Sequence, residues 1–161
     1  MPTETINQSS YLIGATKETI IPDVFKTFWS ILGKYVHPTT DKFWYPSFPF
    51  RDLNSGSLSY PVGILESPEF SNEKFTIEKK FYMGSILVEI YATSSEKADE
   101  YIQGVLDAID SEEQTLWTLN LRMVKLEGMS QDFVLRNEAA IHIRRARYSF
   151  RYTYKRGLYG G

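Results

Sequence analysis

The sequence predicts an α+β fold in a single domain, with one antiparallel β-sheet and helices packed on one of its faces. Three observations lead to this prediction. Apolar residues recur at three- and four-residue spacing in two stretches, which is typical of amphipathic helices. Other stretches alternate apolar and polar residues, as strands with one buried face do. The length of 161 residues suits one domain with a sizeable core.

The first helical pattern covers residues 16–35, after residues 1–15, which show no periodicity and are predicted to form an arm. Pro22 and Asp23 favour a first helical turn, so the helix is expected to begin nearer residue 20. Its apolar positions are Ile21, Val24, Phe25, Phe28, Trp29, Leu32 and Tyr35.

Residues 37–60 combine prolines with aromatic rings, which is unusual for a linker. Proline disfavours helices and central strands, whereas the aromatic content argues against disorder. We therefore predict a long ordered loop that packs either on the chain's own core or on a neighbouring subunit. Its candidate docking residues are Phe43, Trp44, Tyr45, Phe48 and Phe50.

Strand patterns follow the loop. A short apolar run at 61–65 and two longer stretches, 74–83 and 85–93, are predicted strands. The two longer stretches are expected to face each other across a turn near Gly84. In the second of them, the side chains that share one face are Ile86, Val88, Ile90 and Ala92, opposite Leu87, Glu89 and Tyr91.

A second helix follows these strands. Thr93 and Glu96 have the spacing of a capping box, which predicts the helix start. The apolar stripe of this helix consists of Ala98, Tyr101, Ile102, Val105, Leu106 and Ile109. A shorter helical segment is predicted at 112–120.

The last predicted strands are 121–129 and 139–156, joined by a connection at 130–137. In the final strand, the aromatic residues Tyr148, Phe150, Tyr152 and Tyr154 fall on the face opposite Arg147, Ser149, Arg151 and Thr153. Ile141 and Ile143 have the opposite parity to the aromatic residues. The strand therefore either passes between two environments or contains a bulge.

Charge is distributed unevenly along the chain. The formal net charge is −2, but residues 144–156 contain six basic residues and no acidic one. Twelve basic and twenty acidic residues remain, so the rest of the chain has a net charge of −8. This asymmetry suits head-to-tail association of identical copies. Single-strand nucleic-acid binders also combine cations with aromatic rings, but they expose both on one side.

The sequence contains no recognisable catalytic or metal-binding pattern. It has no cysteine, no phosphate loop and no nucleophile elbow. His37 and His142 have no carboxylates at ligand spacing. We therefore expect no enzymatic activity, no metal and no cofactor. No apolar run approaches the roughly 18 residues of a membrane span and no signal-peptide pattern is present, so we expect a soluble protein without a membrane partner.

Three stretches that follow the amphipathic helix at 17–35 carry a resemblance to a known family. They are YPVGIL at 60–65, ILVEIYATSSEKADEYIQGVLDAI at 86–109 and IHIRRARYSFRYTYKR at 141–156. Together with that helix they resemble the tail terminator, or tail completion, proteins of bacteriophages with long non-contractile tails. The resemblance covers roughly 17–35 and 60–156.

This resemblance implies a structural virion protein that forms a homo-hexameric ring on the head-proximal end of the tail tube. The ring would end tube polymerisation and provide the docking surface for the head connector. The implied partners are further copies of the chain, the tail tube protein and the head connector or neck proteins, while DNA passes through the channel without specific binding. The implied location is the virion, with the host cytoplasm during assembly. The alternatives are a head–tail joining or neck protein and a nucleic-acid-binding module that uses 144–156.

In such a ring, the basic block 144–156 is expected to meet the acidic helix 96–110 of the next copy. The candidate interface residues are Arg145, Arg147, Arg151 and Lys155 on the basic side and Glu96, Asp99, Glu100 and Asp107 on the acidic side.

Overall fold

A computed structural model of the protein describes residues 20–35, 43–49, 60–74, 79–136 and 139–155. In chain order, the helices and strands are α1 (Ile20–Tyr35), β1 (Trp44–Tyr45), β2 (Val62–Leu65), β3 (Glu69–Lys74), β4 (Lys79–Ala92), α2 (Ser95–Ser111), α3 (Glu113–Thr118), β5 (Leu121–Arg136) and β6 (Ala139–Lys155).

The six strands form one sheet in the order β1-β2-β4-β6-β5, and β3 pairs with the part of β4 that β2 leaves open. Neighbouring strands are antiparallel, except that β1 and β2 are parallel. The predicted α+β class is confirmed. The parallel pair was not predicted, because β1 contains only two residues of the proline-rich stretch.

All three helices contribute to one hydrophobic core on the same face of the sheet. The helical residues of this core include Val24, Phe28, Leu32, Ile102, Val105, Ile109 and Leu116. The strand residues beneath them include Ile86, Val88, Ile90, Tyr148, Phe150 and Tyr152. These strand residues share one parity on β4 and one on β6, as the alternation in the sequence indicated.

The helix starts differ slightly from the sequence prediction. Helix α1 begins at Ile20, which agrees with the first turn predicted from Pro22 and Asp23. The N-cap of α2 is Ser94 rather than Thr93, and its hydroxyl accepts a hydrogen bond of 3.1 Å from the Lys97 backbone N–H. Ser94 satisfies one of the N–H groups that every helix start leaves open.

The described aromatic residues of the proline-rich stretch pack on the chain's own sheet. Phe43 and Trp44 join the main core and contact each other edge to face, with ring centroids 5.0 Å apart. On the opposite face, Tyr45 packs with Val62 and Ile64, while the rings of Phe48 and Tyr91 are 5.0 Å apart. Of the two predicted alternatives, these residues therefore follow the first: they pack on the chain's own core.

This arrangement corrects the docking role predicted for Phe43, Trp44 and Tyr45. Their exposed fractions are 3%, 6% and 9%, so the rings have little surface left for a partner. Phe48 is half-buried, and Phe50 lies outside the described residues. Burial of the rings explains the aromatic content of the stretch without a second molecule.

The prediction of a turn near Gly84 is wrong, because β4 continues through this residue from Lys79 to Ala92. Gly84 lies opposite Phe150 on β6. A Cβ atom at position 84 would lie 2.7 Å from the Phe150 ring, closer than real Cβ contacts. Gly84 therefore provides space for a neighbouring ring rather than a turn. The hairpin partner of β4 is β3, and their connection, 75–78, lies outside the described residues.

Strand β5 is also longer than predicted. Most of the expected connection at 130–137 belongs to it, since β5 pairs with β6 up to Arg136 opposite Ala139. Side chains 125–135 are exposed, so the apolar–polar alternation that reveals a half-buried strand is missing there.

The parity change in β6 arises from two environments and not from a bulge against β4. The β4–β6 register is unbroken from Ala92 opposite His142 to Lys79 opposite Lys155. Ile141 and Ile143 are buried on the face that the helices do not cover, whereas Tyr148 is buried under the helices. The irregularities in pairing lie between β5 and β6.

A hydrogen bond joins the end of α1 to the junction of α2 and α3. The Tyr35 hydroxyl donates to a carboxylate oxygen of Glu112, and the Lys34 ammonium lies 3.6 Å from the same oxygen. The Tyr35 bond is the largest of the contributions that hold the pKa of Glu112 below its ordinary value.

We expect Tyr35→Phe to lower the free energy of unfolding by about 0.5–1.5 kcal/mol at pH 7. The folded-state pKa of Glu112 is depressed, so its contribution is present above the unfolded-state value of about 4.3 and is lost as the pH falls through the folded-state value. Urea unfolding at pH 7 and pH 3 should therefore show a difference between variant and wild type that shrinks in acid. An equal difference at both pH values would contradict this account.

Candidate functional site

Strand β6 directs its consecutive arginines to opposite faces of the sheet. Arg144 lies opposite Ile90 on the helix-covered face, and Arg145 lies opposite Glu89 on the other. Each arginine has an acidic partner in its own chain. The sequence analysis missed this arrangement, because the partners are 45 and 56 residues away and depend on the β4–β6 register.

Arg144 attaches the first turn of α2 to the sheet. Its Nε donates to Asp99 Oδ1 at 2.6 Å and its Nη2 donates to Ser95 Oγ at 2.7 Å. A third donor, Nη1, binds the Ile143 carbonyl at 3.1 Å. The Arg144 side chain is 9% exposed and Asp99 is 63% exposed, so a buried guanidinium is paired with a carboxylate at the surface.

Arg145 forms the corresponding ion pair on the open face. Its Nε donates to Glu89 Oε2 at 2.7 Å, and Asp132 Oδ2 lies 3.9 Å from its Nη1. The Tyr91 hydroxyl also donates to Glu89 Oε2, at 3.3 Å. Burial, together with the nearby Glu89 carboxylate, raises the pKa of Tyr91 to about 12. Burial alone would lower the pKa of Arg145, but the hydrogen bond to Glu89 and the charges of Glu89, Tyr91 and Asp132 together outweigh burial, so the pKa is raised.

These two ion pairs involve two of the predicted interface residues. Asp99 and Arg145 were each predicted to lie at the subunit interface, and each has an ion-pair partner within its own chain. Arg147 is exposed, with one 3.3 Å contact to Ser85 Oγ. Arg151 is half-buried, and its Nε contacts Met83 Sδ at 3.4 Å.

The remaining predicted interface residues lie on the surface of α2 or at the end of β6. Glu96 is exposed in the first turn of α2. Glu100 pairs with Lys97 at 3.3 Å, and Asp107 accepts a 2.9 Å hydrogen bond from Gln103. The side chain of Lys155 lies outside the described residues. The predicted contact of the basic and acidic sets across subunits stays a prediction, because the structure contains one chain.

The aromatic rings of β6 are buried beneath the helices. Tyr148, Phe150 and Tyr152 are 5%, 1% and 2% exposed, whereas Arg147 points to the opposite face. The predicted separation of rings and charges is confirmed for these residues, and the side chain of Tyr154 lies outside the described ones. A single-strand binder stacks bases on exposed rings beside its cations, so this strand lacks that arrangement.

The far end of the β5–β6 hairpin exposes large apolar side chains. Their exposed fractions are 48% for Met129, 58% for Phe133, 39% for Val134 and 71% for Leu135. Strand β5 is the last strand at its edge of the sheet among those described. Exposed apolar residues on an edge strand indicate an interaction surface. The sequence contained a signal for it, the apolar FVL run at 133–135, in what was interpreted as a connection.

The described residues contain no group of three or more histidine, aspartate or glutamate residues that could hold a metal ion. In the same part of the chain, no helix has both the length and the apolar character needed to cross a bilayer. No protein-family model matches the sequence. A comparison with curated proteins found no match either.

Proposed function

We propose that the protein is a structural, non-enzymatic subunit of a bacteriophage tail whose copies form a six-membered ring on the head-proximal end of the tail tube. The sequence resemblance supports the phage assignment. The observation that carries the assembly role is the apolar end of the β5–β6 hairpin, whose residues lie on an open sheet edge.

The hairpin suits contact with a second copy of the chain. Phe133 and Leu135 have one parity on β5 and Val134 has the other, so both faces of the strand are apolar at this point. A partner that covers both faces must enclose the hairpin end, as a neighbouring subunit can. When each copy offers the hairpin and receives another, the contacts are head to tail and can close into a ring.

Two measurements test the role in the tail. The purified protein should have six times the chain mass of 18.6 kDa in solution, and electron microscopy should show six-fold rings with a hole that admits duplex DNA. Added to polymerising tail tube protein, the rings should bind one end of each tube and shorten the tubes. Tubes of unchanged length without an end-bound ring would contradict the proposal.

The hairpin contact can be tested by replacing Phe133 and Leu135 with serine. We expect the double variant to lose the ring mass but to stay folded as a monomer, because both side chains are already exposed in the protomer. Met123→Ser is the matched control, since Met123 is 63% exposed on the same strand but outside the hairpin end. Unchanged ring mass in the double variant would show that the hairpin is not the contact.

A further inference from the structure

A groove of about 380 Å³ lies on the helix-covered side of the sheet, between α2, α3 and β5. Leu106, Val124, Leu126 and Tyr148 form much of its apolar wall. Leu126 is 39% exposed in this position. The groove can therefore accept the hydrocarbon part of a bound side chain.

Three carboxylates, Asp107, Asp110 and Glu113, also line the groove. Asp107 accepts one hydrogen bond from the uncharged Gln103. Among the described residues, no cation lies within ion-pair distance of any of the three. Lys125 lines the groove as well, but its ammonium is paired with Glu127 at 3.8 Å. The groove thus has an uncompensated negative charge.

Tyr148 adds a polar group to the groove. Its side chain is only 5% exposed, and its hydroxyl makes no hydrogen bond to any described residue. A phenol hydroxyl can both donate and accept a hydrogen bond, so a molecule in the groove can bond to it. Burial raises the pKa of Tyr148, and the carboxylates of Asp110 and Asp107 raise it further, so the hydroxyl lies in their field. A ligand in the groove would meet a phenol hydroxyl, three carboxylates and an apolar wall.

We infer that this groove binds the cationic end of β6, Lys155 and Arg156, from a second copy of the chain. The inference rests on the self-association proposed above and names one of its contacts. The residues that follow, Leu158 and Tyr159, are apolar or aromatic and match the apolar wall. The segment 155–161 contains two cations and no acidic residue.

Within one chain, the pairing of β6 keeps Lys155 away from the Tyr148 end of the groove. Lys155 pairs with Lys79, and it lies seven residues from Tyr148, a span of about 23 Å along an extended strand. A second copy is not subject to this constraint, and we therefore assign the cations in the groove to it.

The N-terminal segment 1–19 has the wrong charge for the groove. It contains Glu4, Lys17 and Glu18, which gives a net charge of −1. An acidic segment would be repelled by the three carboxylates. Charge complementarity therefore favours the β6 end over this segment.

The test uses two complementary charge reversals in the full chain. One variant carries Asp110→Lys and Glu113→Lys in the groove, and the other carries Lys155→Glu and Arg156→Glu at the β6 end. Light scattering should show that each variant alone has a lower mass than the wild-type oligomer. An equimolar mixture should regain it, because each variant then meets an end of the opposite charge. The chain with all four substitutions should also regain it.

Two controls each reverse one charge outside the contact, Glu100→Lys on α2 and Arg147→Glu on β6. Both should keep the wild-type oligomer mass. Tyr148→Phe removes only the hydroxyl and tests the groove if the reversals fail to fold. The inference would be overturned if either reversal variant kept the wild-type oligomer mass, if the mixture did not recover that mass, or if Arg147→Glu lost it.

A labelled peptide of residues 153–161 gives a readout that does not require a ring. Fluorescence anisotropy should show that Asp110→Lys/Glu113→Lys weakens peptide binding at least about tenfold and Tyr148→Phe about fivefold, while Glu100→Lys leaves it unchanged. Equal binding to all variants would overturn the groove assignment even where six-fold rings form. If the peptide binds in a groove-dependent way but the chain forms no ring, the groove assignment is supported and the proposed hexamer is contradicted.

Discussion

Replacing Phe150 with alanine should lower the free energy of unfolding by about 3–5 kcal/mol. The ring is 1% exposed and lies at the centre of the core, with ring centroids 5.8 Å from Phe28 and 5.6 Å from Phe70. The Phe150 ring on β6 therefore packs against both α1 and β3. A loss of this size is a large share of the 5–15 kcal/mol that stabilises typical domains. Urea unfolding at neutral pH measures it directly.

Gly84, which lies opposite Phe150, gives a second test of this packing. A Cβ atom at Gly84 would lie 2.7 Å from the Phe150 ring and 3.0 Å from the Phe70 ring. Gly84→Ala in the wild type should therefore be destabilising by about 1–3 kcal/mol, as overpacking generally is. In the Phe150→Ala background the two contacts at 2.7 Å are gone and the contact with the Phe70 ring at 3.0 Å remains, so the same substitution should be clearly less destabilising than in the wild type.

Gly128→Ala is the matched control for this cycle. Gly128 also lies in a strand, but a Cβ atom there would meet nothing within 4 Å. Its substitution should have the same small effect in both backgrounds. If Gly84→Ala were equally destabilising with and without the Phe150 ring, close approach of this ring could not be the reason for a glycine in the middle of β4.

Gly84 also shows where sequence reasoning about the fold stops. A glycine between two alternating stretches can mark a turn or a place where another side chain approaches the backbone. The residue that decides between these possibilities, Phe150, is far away in the chain. By contrast, the bounds of α1 and α2 were predicted to within a few residues, because capping residues and apolar spacing are local signals.

The outer half of β5 was missed for a related reason. The side chains of residues 130–135 contact solvent, so no core imposes alternation on them. The candidate site was predicted only in part. Alternation was enough to separate the rings of β6 from Arg147, but the partners of Arg144 and Arg145 follow from the β4–β6 register. That register results from packing of the whole core and cannot be read from a single stretch.

Replacing Arg145 with methionine should lower the free energy of unfolding by about 2–4 kcal/mol at neutral pH. Glu89 is 8% exposed, and without Arg145 its carboxylate would keep, among the described residues, only the 3.3 Å hydrogen bond from Tyr91. Removing one partner of a buried ion pair typically costs 3–5 kcal/mol because a buried charge is left uncompensated. The expected loss is somewhat smaller here, since the Arg145 side chain is 30% exposed.

The double variant Arg145→Met/Glu89→Gln separates the pair from the individual side chains. With both charges removed, no buried carboxylate is left unpaired, so the stability should return to within about 1 kcal/mol of the wild type. Urea unfolding of the wild type, both single variants and the double variant completes the cycle. The oligomer mass should be unchanged in the double variant, because the two side chains bind each other within one chain. If the double variant unfolded like the wild type but lost its oligomer mass, Arg145 would have to contribute to the subunit interface.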